Sequence, residues 1–124
     1  VRANRPVAGM TPLPDTTDVL IVGAGPAGLA PATALRQAGV ARVLVVERED
    51  HPGGIPRHCA HPPYGLREFR RLMTGPTYAA RLVAEARAAG VSIVTATTVT
   101  ALHPGGRVSV PSDAGPQAIS ARAV

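Results

Sequence analysis

Asp18-Val-Leu-Ile-Val-Gly-Ala-Gly-Pro-Ala-Gly-Leu29 decides how the rest of this chain is read. Four apolar residues of strand character, Val19 to Val22, run into glycines spaced G-x-G-x-x-G. A helical pattern from Leu29 to Ala38 follows and stops at Gly39. A second apolar strand, Arg42 to Val46, then ends on an acid, Glu47. Strand, glycine turn, helix, strand and acid, in this order, form the βαβ unit that binds dinucleotides.

Each residue type has a task in such a unit. Gly23 lets the chain leave the strand in a tight turn. Gly25 has no side chain, so a pyrophosphate can approach the backbone. Gly28 lets the helix pack close to the strand. The helix start offers free N–H groups and the positive end of a dipole. The candidate binding turn is therefore Gly23, Ala24, Gly25, Pro26, Ala27 and Gly28. Glu47 lies about 20 residues beyond the last glycine, where an acid can accept hydrogen bonds from ribose hydroxyls. Its charge disfavours a 2′-phosphate, so NADP is the least suited dinucleotide. An isolated glycine motif also arises by chance, as a tight turn that binds nothing. The strand, helix, second strand and acid in register argue for the ligand.

The chain has 124 residues, room for one domain with a useful core but not for a two-domain oxidoreductase. Its 13 basic residues against 8 acids give a net charge of +5. All the basic residues are Arg, a pattern of coding bias, and only Arg67, Arg70 and Arg71 cluster. A nucleic-acid surface needs a basic face interleaved with aromatics, and Tyr64, Phe69 and Tyr78 are the only aromatics, so no nucleic-acid partner is expected. The single Cys59 excludes an internal disulfide and a C-x-x-C pair. The apolar run 19–35 is broken by glycines and Pro26 and abutted by Asp15 and Asp18, so it reads as neither a signal peptide nor a membrane span. The expectation is a cytoplasmic protein with no membrane partner.

Residues 1–17 carry Pro6, Pro12 and Pro14 without periodicity and read as a disordered leader, with Met10 as a candidate true start. Pro26 suits the first turn of a helix over 26–38. Pro31 falls inside that helix, where it removes a backbone bond to Ala27, and a kink or local weakening is expected. Residues 48–65 form a long Gly-, Pro- and His-rich loop in which Gly53 and Gly54 could let backbone approach a cofactor. His51, His58, His61 and Cys59 share this loop, but their spacing matches no zinc pattern, and no metal is assigned. A short helix is expected over 66–73, a break at Gly75-Pro76, and a helix over 78–89 capped by Thr77 and ended by Gly90. Strands follow at 91–95, 97–102, 107–110 and 119–124, the last group a β-meander. The strand at 119–124 is expected to be cut off and to leave an open, apolar edge that invites pairing.

This order resembles the flavoproteins with two dinucleotide-binding domains, the pyridine nucleotide-disulfide oxidoreductase-like group. Val19 to Leu29 is similar to their FAD fingerprint, and Val45-Val-Glu-Arg-Glu49 to their ribose-binding strand end. Gly53-Gly-Ile-Pro-Arg-His-Cys59 and Gly75-Pro-Thr-Tyr78 resemble the amino-acid and opine dehydrogenase-like members. The resemblance covers residues 18–124. It implies a Rossmann-like three-layer α/β fold: a parallel sheet with an appended β-meander, incomplete at its C-terminal end. It implies FAD, with Gly23, Gly25 and Gly28 on the pyrophosphate and Glu47 on the adenosine ribose. Arg48 would lie near the adenine, Gly53 and Gly54 along the pyrophosphate or ribityl chain, and Val99 would offer backbone to adenine. The family's alanine-threonine-glycine segment, its NAD(P)H domain and its paired redox cysteines have no counterpart here. The chain thus reads as the N-terminal portion of an FAD-dependent oxidoreductase, completed by further domains or a second chain. No catalytic residue is assigned. The alternatives are an NAD-binding module of a dehydrogenase or sensor, and a non-catalytic remnant or interaction protein.

Overall fold

A computed structural model describes residues 12–124. Six strands, β1 Thr16–Val22, β2 Val43–Val46, β3 Ser92–Val94, β4 Ala101–His103, β5 Arg107–Val110 and β6 Gln117–Ala123, form one sheet in the order β3-β2-β1-β6-β5-β4. β3, β2, β1 and β6 run parallel, while β4, β5 and β6 form an antiparallel meander. The helices are α1 Pro26–Gln37, the short α2 Leu66–Phe69 and α3 Gly75–Ala88, with a 3₁₀ turn at Ile55–His58. Among the described residues no helix is long and apolar enough to cross a membrane.

All four residues of β2 are buried, so this strand is covered on both faces, as its unbroken apolar run requires. Val43 and Val45 join the helix side, where Leu29 and Ala32 of α1 meet Leu82, Val83 and Ala86 of α3. These helix residues recur at three- and four-residue spacing, the period of one buried face. Burying a Leu such as Leu29 contributes about 1.5–3 kcal/mol. Leu44 and Val46 point the other way and cluster with Leu20, Val108, Val110, Ile119 and Ala121. With no described helix on that face, the antiparallel half turns over the parallel half and covers it. The result is the expected α/β order of helices, parallel sheet and meander.

Several boundaries differ from the sequence reading. β1 begins at Thr16, inside the expected leader, because Thr17 is buried and its hydroxyl donates to the Arg42 carbonyl at 3.1 Å. The rest of the expected leader through residue 11, with Met10, lies outside the described residues. α1 runs unbroken through Pro31, which faces solvent. α2 stops at Phe69 because Arg70 turns left-handed (φ 52°), and Met73 pairs instead with Tyr64. α3 starts at Gly75, with Thr74 and not Thr77 at the N-cap position and no side-chain cap, since Pro76 suits a first turn and needs no N–H there. Residues 97–100 are not a strand. Ala96 (φ 52°) turns the chain, and the Thr97 amide donates to the Glu47 carbonyl at 2.9 Å. β6 is an interior strand between β1 and β5, not an open edge, because its residues 117–120 and 120–123 are paired on opposite sides.

Candidate functional site

The C-terminal ends of β1 and β2, the turn into α1 and the Gly53-Gly54 loop converge on one cleft of about 460 Å³. Ligands of open α/β sheets bind outside the carboxyl ends of the strands, and this cleft lies there. Gly23 (φ 101°) turns the chain away from β1, in a conformation that side chains resist, and its amide donates to the Val46 carbonyl at 2.8 Å. A Cβ on Gly28 would overlap the Gly23 carbonyl oxygen, so α1 can lie this close to β1 only with glycine at that position.

Gly25 is the N-cap of α1, without a side-chain cap, and the first turn carries no acid. The amides of Gly28 and Leu29 turn back to the Gly25 carbonyl at 3.1 and 2.9 Å. Among the described residues, the amides of Gly25 and Ala27 donate to no protein acceptor. They stand at the positive end of a 12-residue helix, an arrangement that favours an anion. The loop supplies the opposite wall. The Gly53 amide donates to the Ala24 carbonyl at 2.8 Å, and Gly54 (φ 66°) presses its backbone against Gly25. A Cβ on Gly54 would come within 2.8 Å of the Gly25 Cα, so only bare backbone fits.

Glu47 closes the base of the cleft and is 8% exposed. Its Oε2 accepts from the Ala24 amide at 2.7 Å and its Oε1 from the Glu49 amide at 3.0 Å. A carboxylate offers about four lone-pair sites, so two remain for hydroxyl donors. Of the residues expected from sequence, Gly23, Glu47, Arg48, Gly54 and Val99 line the cleft. Ala24, Gly28 and Gly53 support it from behind: Ala24 and Gly53 are buried, and Gly28 holds the helix against the turn. Gly25, Pro26 and Ala27 form the helix start beside it. Arg48 is exposed at the rim, and Val99 lies in irregular chain.

Sequence reasoning missed Val22, Val46, Glu49, Ile55, Thr97 and Thr98, which also line the cleft. Thr97 and Thr98 are there because the Ala96 and Thr97 amides bond the Glu49 and Glu47 carbonyls, which fold residues 96–99 over the end of β2. The His-rich loop brings no ligand set together: among the described residues no three His, Cys, Asp or Glu could share a metal ion.

The family model described as NAD(P)-binding Rossmann-like domain matches residues 21–86, more than half of the chain. The chain belongs to this family. Over 38 residues it is 58% identical to thiamine thiazole synthase of Aeropyrum pernix, a stretch covering 31% of this chain and 14% of that protein. The crystal structure of THI4 from Thermovibrio ammonificans superposes with a TM-score of 0.68 at 22% identity, covering 86% of this chain and 55% of that one. Aklavinone-11 hydroxylase, in a ternary complex with FAD and aklavinone, superposes with a TM-score of 0.65 at 20% identity, covering 86% of this chain and 31% of that one. This Rossmann-like chain therefore shares their fold, and it spans about half the length of the first structure and a third of the second.

Proposed function

We propose that this chain, from β1 at Thr16 onward, is the dinucleotide-binding portion of an FAD-dependent oxidoreductase. The observation that carries the reading is the unpartnered amides of Gly25 and Ala27 at the start of α1, with the bare Gly54 backbone packed against Gly25 and the buried Glu47 lining the adjoining cleft. A pyrophosphate suits this cradle, since the helix dipole and two free donors favour anionic oxygens and no side chain blocks their approach. The adenosine ribose would donate to the remaining lone pairs of Glu47. Arg48 and the Thr97–Val99 segment would flank the adenine, with Val99 offering backbone.

When bound, the flavin supplies the electron-transfer chemistry. The chain's own residues would bind the adenosine and pyrophosphate end and orient it. In the complete enzyme a further domain or a second chain would cover the ring and bring the electron donor, a small substrate or NAD(P)H. FAD is favoured over NAD by the close Gly53-Gly54 wall and the meander, both of which accompany the glycine motif in the flavoproteins that this sequence resembles. The hydroxylase of the same fold is a complex with FAD.

Titration of the purified chain with FAD, followed by flavin fluorescence, tests the reading, with Glu47→Ala and Gly25→Val alongside. Saturable binding lost in both variants is the expected result. Absence of binding by folded chain, with binding of NAD instead, would transfer the site to a nicotinamide dinucleotide. Binding of neither would leave a motif without a ligand.

A further inference from the structure

Gly54 approaches Gly25 only because something holds the loop 49–57 down, and the loop has no regular structure before its 3₁₀ turn. The Gly53 amide on the Ala24 carbonyl and the Gly75 amide on the Cys59 carbonyl hold part of it, and Arg57 adds a side-chain tie within the loop itself. One guanidinium nitrogen donates to the Glu49 carboxylate at 2.9 Å and to the His51 carbonyl at 2.8 Å, bridging the two ends of the loop. Its aliphatic stem lies across Gly53, where a Cβ would come within 2.8 Å of the Arg57 Cδ and 3.0 Å of the Ala79 Cβ. The Arg57 side chain is only 23% exposed although it carries a charge. Gly53 is thereby pinned between the Arg57 stem, α3 and the Ala24 carbonyl. The Glu49 backbone is tied in turn to Ala96 at 2.7 Å, next to the opposite cleft wall.

We infer that Arg57 is a positioning residue that straps the 49–57 loop so that Gly53 and Gly54 stand against the α1 turn and form the pyrophosphate half of the cleft. It does not line the cleft and acts through Glu49, His51 and Gly53. The inference rests on the dinucleotide reading for its purpose but not for its geometry. It adds a second effect: Glu49 lines the cleft, and Arg57 balances the carboxylate that would otherwise repel an anionic ligand.

The test is carried out by NMR on the whole isotope-labelled chain, with Arg57→Ala and Glu49→Gln as variants. Amide exchange reads the strap without any ligand. Exchange at Gly53 should rise about tenfold or more in Arg57→Ala while Gly23, bonded to Val46 outside the loop, stays unchanged. Glu49→Gln should move Gly53 in the same direction by less. Titrations with ADP, FAD and adenosine read the purpose. Arg57→Ala should weaken ADP and FAD by about tenfold and leave adenosine within about twofold, since adenosine lacks the pyrophosphate. Unchanged exchange at Gly53 overturns the strap whatever the ligands do. Equal weakening of adenosine and ADP overturns its assignment to the pyrophosphate. If the native chain binds none of the three while Gly53 responds as expected, the strap stands and the dinucleotide reading falls.

Discussion

The backbone amide of Ala24 and the Oε2 atom of Glu47 lie 2.7 Å apart, buried, and join the glycine turn to the end of the neighbouring strand. The acid that is expected to receive a ribose is therefore also a structural acceptor for the turn that is expected to receive the pyrophosphate. Removing it disturbs both halves of the cleft.

Glu47→Ala should thus cost stability as well as ligand. The Ala24 amide, in a residue with no exposed surface, would lose its acceptor, at a cost of about 1–3 kcal/mol. Glu47→Gln keeps one carbonyl oxygen for Ala24 and should fall between the two. Thermal unfolding followed by circular dichroism measures the order native, Gln, Ala.

Two glycines of the motif should fail in different ways. Gly28→Ala places a methyl on the Gly23 carbonyl and should prevent α1 from docking, with loss of cooperative unfolding. Gly25→Ala places its methyl 3.8 Å from the Gly54 Cα, an ordinary contact, at an unstrained φ of −78°. It should fold within about 1 kcal/mol of the native chain, the cost of Ala at an N-cap. That methyl nevertheless stands in the anion cradle, so FAD affinity should drop. Paired melting and titration curves separate the two.

Pro31→Ala should stabilise the chain. Pro31 is exposed in the interior of α1 and denies the Ala27 carbonyl its i+4 donor. Ala restores that donor and should add about 1–3 kcal/mol, read as a higher unfolding midpoint.

Asp18 makes stability depend on acid pH. The Arg42 side chain donates to it at 3.2 Å and holds its carboxyl below the ordinary range, against a smaller opposing effect of desolvation. A depressed folded value means that the contribution is present above the unfolded value of about 4 and lost as pH falls through the folded one. Asp18→Asn should therefore lower the denaturant midpoint at pH 7 and converge with the native chain near pH 2. A constant difference across that range would refute the linkage.

The parts legible in sequence were those with local causes. β1, α1 and β2 follow from an apolar run, a glycine turn, helical spacing and a second run, all within neighbouring residues. The start of α3 was hidden because Gly75-Pro76 signals both a break and a first turn, and only the packing of Gly75 under the Pro56 and Cys59 carbonyls selects the second. Thr97 to Thr100 has β-branched strand composition, yet bonds from Ala96 and Thr97 to the β2 end hold it irregular. The interior place of β6 depends on a pairing of Thr17 with Ala121, which no short window contains. The Arg57–Glu49 bridge has no motif at all, because the partner of Arg57 is chosen by the fold.

The seat of β6 beside β1 bears on how the chain comes off the ribosome. β1 meets β2 early, but its other flank stays unsatisfied until the chain through Ala121 has emerged. Contacts so distant in sequence close slowly, because the loop must be ordered before any pairing rewards it. During that interval Leu20, Leu44 and Val46 have no cover on the meander side. Until β5 and β6 are in place, that apolar face is the part of the folding chain most open to aggregation.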